Sequence, residues 1–226
     1  MIDVLGKLCG GLVASCQPVD QGPMDRPEIV AAMAQAAVAG GAAGLRIEGV
    51  ENLRAVRPFV SVPIIGIVKS NCENTPVRIT VRVADVNGLI QAGADVVAYD
   101  ATDRPRQDDR SDVLKTILAG GAVAMADCST LEDAQTALMH GASIIGTTLS
   151  GYTENTANDA NGPDLDLLRV FSKLGAFVMA EGRYNTPDLV LQAINAGADC
   201  VTVGSALTRL EHITSLFVDA TRGERQ

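Results

Sequence analysis

The residue best placed for chemistry in this sequence is a lysine that ends a β-branched apolar run, Pro63-Ile64-Ile65-Gly66-Ile67-Val68-Lys69. A run so short and uninterrupted, led in by proline, predicts a parallel strand buried on both faces. Ligands of parallel sheets gather at the carboxyl ends of the strands, so Lys69 faces whatever binds. Lysine is a poor base at its free pKa. Partial burial or the nearby Arg46 lowers that pKa, whereas a carboxylate beside it keeps it cationic. Glu181 ends another apolar run and is the candidate partner, able to position the lysine or pass its proton.

Other apolar runs end in the same way. Gln17, Arg46, Asp100, Asp127, Thr147 with Thr148, and Gly204 with Ser205 each follow one. Singly, each has a plainer reading. Asp127 orders the turn into a helix, Asp100 holds Arg104 in a surface pair, and Gln17 satisfies loop backbone. Their convergence on one mouth carries more weight than any single residue. Gly182-Arg183 and Gly204-Ser205-Ala206 supply backbone N–H groups for an anion, and a helix opening at Ser205 and the Arg209 charge favour a phosphate there.

Such convergence needs a closed parallel sheet. The runs Gly11–Ser15, Ala43–Leu45, Ile64–Val68, Val96–Tyr99, Ala122–Ala126, Ser143–Ile145, Ala176–Ala180 and Cys200–Val203 come at steady spacing, with helical patterns between most of them. This predicts an α/β fold, a (β/α)8 TIM barrel forming a single domain over residues 1–226. Helix starts are marked by Pro27, by Thr186-Pro187 and by Ser129-Thr130-Leu131-Glu132-Asp133, which has the form of a capping box. The phrases Ala39-Gly40-Gly41-Ala42, Ala92-Gly93-Ala94-Asp95, His140-Gly141-Ala142-Ser143 and Ala196-Gly197-Ala198-Asp199 each place glycine between a helix and a strand, where a left-handed turn is needed. Residues Ser150–Gly162, rich in Gly, Thr, Asn and Asp, predict a long loop walling the substrate. An apolar helical stripe lies within Glu211–Ala220.

Composition narrows the function classes. At 226 residues with 47% hydrophobic, 20% charged and 3% aromatic residues, the core is filled by Val, Ile, Leu and Ala. A net charge of −9 leaves no basic surface for nucleic acid or an anionic membrane, so the ligand is small and met by local donors. No apolar run reaches membrane-spanning length. Val13-Ala14-Ser15-Cys16 lacks the basic stub and hydrophobic stretch of a lipoprotein signal. Cys9, Cys16, Cys72, Cys128 and Cys200 are scattered and odd in number, which predicts buried thiols in a cytoplasmic setting. His140 and His212 have no metal-ligand spacing, so no metal is expected.

On these residues the chain resembles the N-acetylmannosamine-6-phosphate 2-epimerase family. The match runs through Gly11–Gln17, Pro63–Lys69, Ala92–Thr102, Met125–Thr130, Ala180–Arg183 and Val203–Arg209, and its most specific phrase is Gly146-Thr147-Thr148-Leu149-Ser150-Gly151-Tyr152-Thr153. The resemblance implies a cofactor-independent inversion at C2 of an open-chain 2-acetamido-hexose 6-phosphate in amino sugar and sialic acid catabolism. It implies that Lys69 moves the C2 proton with Glu181 as partner, that Gln17, Arg46, Asp127 and Thr148 hold the sugar, and that Gly182, Arg183, Gly204, Ser205 and Arg209 hold the phosphate. It further implies a homodimer, with the Ile213, Leu216 and Phe217 stripe of the last helix against a neighbour. Packing within one chain explains that stripe equally well.

The sequence departs from the family pattern at Glu48, where a small or amide residue is expected, and at Ser70-Asn71, where a second basic residue commonly follows the lysine. These bear on hydroxyl and acetamido recognition more than on the reaction. A Schiff-base lyase or aldolase is the rival enzyme, and a phosphosugar sensor without turnover is the rival of another class.

Overall fold

The computed structural model describes residues 3–71, 75–157 and 162–223. Eight parallel strands close into a barrel in sequence order, with β1 pairing β8. They are β1 (Leu12–Cys16), β2 (Gly44–Glu48), β3 (Ile64–Ile67), β4 (Val96–Asp100), β5 (Val123–Asp127), β6 (Ile144–Gly146), β7 (Phe177–Glu181) and β8 (Cys200–Val203). The connecting helices are α2 (Pro27–Ala39), α3 (Val50–Val56) with a 3-10 turn at Arg57–Phe59, α4 (Val83–Gln91), α5 (Arg110–Ala119), α6 (Leu131–Met139), α7 (Leu165–Phe171) and α8 (Pro187–Asn195). A short α1 (Val4–Leu8) precedes the barrel, and α9 (Ser205–Thr208) and α10 (Leu210–Arg222) follow it. The sequence reading had no α1. Its five residues carry too little periodicity to register, and Asp3 starts it by accepting from Gly6 N at 2.8 Å.

Alternation along the strands sorts two cores. Ala14 and Cys16, Leu45 and Ile47, Ile64, Val97 and Tyr99, Ala124 and Ala126 face outward and pack under the helices. Val13, Ile65, Ile67, Val96, Ala98, Met125, Ile144, Met179 and Cys200 face inward, and Leu8 of α1 joins them with Val4 and Leu5 alongside. Leu8 is wholly buried. It fits because Gly44 has no side chain; a Cβ there would come 2.5 Å from Leu8 Cδ2. Gly66 serves the outer layer in the same way, since its Cβ would meet Leu53 Cδ1 at 2.9 Å and Leu89 Cδ2 at 3.0 Å.

The glycine phrases are where the chain leaves α2, α4, α6 and α8. Gly41, Gly93, Gly141 and Gly197 have φ between 98° and 104°. Gly121, in Ala119-Gly120-Gly121-Ala122, does the same job with φ 78°. The aspartates that follow tie neighbouring strand starts together, with Asp95 accepting from Ile64 N at 2.9 Å and Asp199 from Val178 N at 2.7 Å. Thr186 caps α8, and the capping box of α6 is closed by Thr130 with Asp133. Ser129 stands outside that box, its hydroxyl bonded to Thr153 and Thr156. Cys16, Cys128 and Cys200 are buried thiols as expected, but Cys9 is exposed, because the chain turns at Gly10 and leaves it on the outside. Cys72 lies outside the described residues.

Candidate active site

The inward alternation that fills the barrel with Val, Ile and Met turns polar at the carboxyl ends of the strands. Arg46, Asp127, Glu181 and Thr202 each follow an inward apolar or glycine position by two residues, and Lys69 and Thr148 stand two past Ile67 and Gly146. The result is a cavity of about 460 Å3 at that end. Of the residues expected from sequence, Gln17, Arg46, Lys69, Thr148, Glu181, Gly182, Arg183, Gly204, Ser205 and Arg209 line it.

Arg46 is the first correction. It does not follow β2 but sits inside it, 1% exposed, and its guanidinium spans the barrel. Nη2 donates to Asp127 Oδ2 at 2.7 Å and Nη1 to Asp127 Oδ1 at 3.2 Å, a fork on a carboxylate, while Nη1 also reaches Glu181 Oε2 at 2.8 Å. Asp127 is the second correction. It is fully buried behind Arg46 and is not a wall of the cavity, so its role is to hold Arg46 and to accept from Thr148 Oγ1 at 2.7 Å. One guanidinium shared by two carboxylates leaves an excess of negative charge in a largely buried place. Burial pushes the Glu181 carboxyl up to about 7, with Arg46 pulling it down and the Asp127 charge pushing it further up. Burial works against the Arg46 cation too, but Asp127 and Glu181 outweigh it and hold its pKa above the ordinary value.

Lys69 enters from the β3 side, four strands around the barrel from Glu181. The segment that carries it is held firmly. Thr80 N donates to Val68 O at 2.7 Å, Val68 N donates to Thr80 Oγ1 at 3.3 Å, and Lys69 bridges Ile79. Thr80 takes a left-handed φ of 45° in a buried position to make these bonds. Burial, together with the Arg209 and Arg46 cations, lowers the Lys69 pKa, while Glu48 and Asp20 oppose them. Such a lysine reaches its neutral, basic form more readily than one in water.

At the β1, β7 and β8 ends the donors gather. Gln17 Nε2 donates to Ser15 Oγ at 2.6 Å, and Arg209 Nε donates to Gln17 O at 3.1 Å, which ties the junction of α9 and α10 to the β1 exit. Gly204 caps α9, and Gly182 has φ 107°. Arg183 differs from the expected geometry. With φ 63° its side chain turns to the loop after β6, where Nε donates to Gly162 O at 2.6 Å and the guanidinium lies 5.1 Å from the Tyr152 ring centroid. It therefore fastens that loop while still lining the cavity. The Asp100 pair is also not on the surface, for its 1%-exposed carboxylate receives Arg104 at 2.7 Å and Arg106 at 3.3 Å.

Several lining residues were missed by sequence reasoning, among them Ile79, Tyr184, Asn185, Thr202 and His212. Thr202 was legible in principle as the polar step two residues past Cys200. Tyr184 and Asn185 directly follow Arg183, whereas Ile79 and His212 arrive from segments whose path no local pattern gives. Among the described residues no cluster of His, Cys, Asp and Glu is suited to a metal ion.

Known proteins resemble this chain over nearly its whole length. The model of the family described as "Putative N-acetylmannosamine-6-phosphate epimerase" matches residues 30–223. A "Putative N-acetylmannosamine-6-phosphate 2-epimerase" of Haemophilus influenzae is 55% identical over 99% of this chain and 97% of its own length. One of Photobacterium profundum is 57% identical over 95% and 91%. The solved N-acetylmannosamine-6-phosphate 2-epimerase of Clostridium perfringens superposes with a TM-score of 0.91 at 36% identity, covering 96% of this chain and 95% of that one. A thiamine phosphate pyrophosphorylase of Pyrococcus furiosus, at 18% identity and TM-score 0.62, shares the fold alone. The chain belongs to the N-acetylmannosamine-6-phosphate 2-epimerase family.

Proposed function

We propose that this chain is an isomerase that inverts C2 of an open-chain N-acylated hexosamine 6-phosphate, interconverting N-acetylmannosamine 6-phosphate and N-acetylglucosamine 6-phosphate without a cofactor. The C2 hydrogen is acidic because the C1 aldehyde takes up the electron pair as an enolate, its charge on the C1 oxygen. Lys69 Nζ removes that proton, and Arg46 steadies the oxygen on which charge develops. Lys69 and Glu181 share the return of a proton to C2, the opposite face giving the other epimer. Asp127 keeps the Arg46 fork aimed, and Gln17 and Thr148 hold sugar hydroxyls. Gly182, Arg183, Gly204, Ser205 and Arg209 hold the phosphate, whose binding energy positions the C1–C2 end for reaction.

The observation that carries this reading is one cavity lined by Lys69 and Glu181 from opposite strands, with the Arg46 guanidinium held on Glu181 at 2.8 Å, burial favouring the neutral form of both Lys69 and Glu181. Proton NMR of N-acetylmannosamine 6-phosphate with the protein in deuterium oxide tests it. The second epimer should accumulate, with deuterium at C2 of both. A borohydride-trapped adduct with cleavage products would replace this reading by Schiff-base chemistry, and tight binding without deuterium uptake would make the protein a sensor.

The chain acts as one domain and as a cytoplasmic homodimer in this reading. Among its described residues no helix is long and apolar enough to cross a membrane. No residue of α10 is buried, and Leu216 and Phe217 are 52% and 71% exposed on it, which suits a face covered by a second copy. Sedimentation of the wild type against Phe217→Asp tests this, with a monomeric wild type overturning it.

A further inference from the structure

Glu48 ends β2 two residues past Arg46, and it is not a wall of the cavity. The parallel ladder between β2 and β3 stops where Glu48 pairs with Ile67, and Gly49 N donates to Ile67 O at 2.9 Å. Beyond that point the chain of β2 turns away at Gly49, with φ 87°, into α3. The backbone of Lys69 is thus left without a strand partner on this side, and the Glu48 side chain fills the place. Its Oε1 accepts from Lys69 N at 3.2 Å, extending the ladder by one bond beyond its last backbone partner. Glu48 is itself anchored, since its carbonyl accepts from Asn52 Nδ2 at 2.9 Å. The lysine segment is therefore gripped from two sides, by residues 78–80 on one and by a single carboxylate on the other.

We propose that Glu48 is a positioning residue for Lys69, fixing through its carboxylate the backbone from which the lysine reaches the substrate, with its negative charge acting on the ammonium from beyond ion-pair distance. This rests on the reading above, in which Lys69 moves the C2 proton. Among the described residues, the charges that act most on the pair come from known elements. Lys69 faces Arg46 and Glu48 of β2, Arg209 between α9 and α10, Asp20 of the loop after β1, and Glu181 of β7. Glu48 faces Lys69, Asp20 and Asp25. Burial raises the Glu48 pKa, and the bond from Lys69 N and the Lys69 charge pull it back. Two cations press the lysine toward its neutral form, and Glu48 is one of the carboxylates that hold it back. Its two functions are separable because an amide keeps the acceptor oxygen and loses the charge.

The test measures C2 deuterium exchange against pH for the wild type, Glu48→Gln, Glu48→Ala and Lys69→Ala, with thermal melts to verify folding. Glu48→Gln should exchange at a kcat within a few-fold of the wild type, with the limb belonging to the lysine moved to lower pH by about 0.5 to 1 unit. Glu48→Ala should show the same movement and also lose about 10-fold or more in kcat, with KM within about 2-fold, because the lysine is misplaced while the phosphate is still held. An unmoved limb in Glu48→Gln overturns the proposal, as does a Glu48→Ala loss confined to KM. If Glu48→Ala does not fold, the Glu48→Gln profile decides alone. Exchange persisting in Lys69→Ala would sink the underlying reading, whereas its loss there with unmoved limbs in the Glu48 variants sinks this inference only.

Discussion

The two ends of the barrel interior are built from the same alternation and do opposite things. At the amino ends of the strands the inward positions are Val13, Ile65, Met125, Ile144 and Met179, closed over by Leu8, and this floor is apolar and dry. At the carboxyl ends the same inward columns continue as Arg46, Asp127, Glu181, Thr148 and Lys69. The floor gains stability from each methylene it buries. The mouth brings two carboxylates against one guanidinium in a buried place, an arrangement that offers little net stability and shifts the acidity of its members. The difference teaches that stability and chemistry divide along the barrel axis, a few residues apart on each strand.

That division can be broken by substitution. The largest effect is expected from Lys69→Ala, which should lower C2 exchange by about 1000-fold or more while leaving the urea-unfolding midpoint nearly unchanged, because the removed side chain lines the cavity rather than filling the floor. A large loss of stability would show that mouth and floor are not separate. Arg46→Ala should be the reverse of a clean catalytic lesion. It leaves Asp127 and Glu181 buried without their cation, so exchange should vanish and unfolding should become easier by about 3–5 kcal/mol at neutral pH. Leu8→Ala should cost about 2–5 kcal/mol by opening the floor and should leave kcat within about 2-fold, as read by unfolding and exchange on the same preparation.

The floor was the more legible half in the sequence. Runs of Val and Ile at steady spacing, with glycine after most of the helices, fix strand order because βαβ connections have one hand. Residues at strand ends, such as Lys69, Glu181 and Gly204, were legible for the same reason. Arg46 and Asp127 were legible as candidates but not as what they do. A strand-end register places them in the mouth, yet only coordinates show that Arg46 lies within its strand and that Asp127 stands behind it. Arg183 lines the cavity, but its positive φ also brings the guanidinium to Tyr152 and Gly162, and a sequence carries no sign of that angle. Ile79 and His212 reach the cavity by tertiary contact from distant segments. Glu48, a departure from the family pattern that pointed to substrate recognition, proves to bond the lysine backbone.

The smallest expected effect separates the two ends by pH alone. Burial lifts the Glu181 pKa from an ordinary 4.5 to about 7, so in that interval the folded chain keeps a proton that the unfolded chain has lost. The unfolded state then binds fewer protons, and unfolding becomes easier as pH rises. The contribution is whole below about 4.5 and lost on passing about 7, and with Arg46 opposing the shift it is on the order of 1–3 kcal/mol. Glu181→Gln removes the titrating group and keeps an oxygen for Arg46, so its stability should fall less between those two pH values than that of the wild type. Leu8→Ala carries no charge change and should lower stability by a similar amount at each pH, retaining the wild-type slope. Equal slopes for wild type and Glu181→Gln would show that the carboxyl titrates in the ordinary range and that the mouth is wetter than its geometry implies. A flattened slope in Leu8→Ala would instead mean that the floor holds the mouth dry, coupling the ends that the alternation keeps apart.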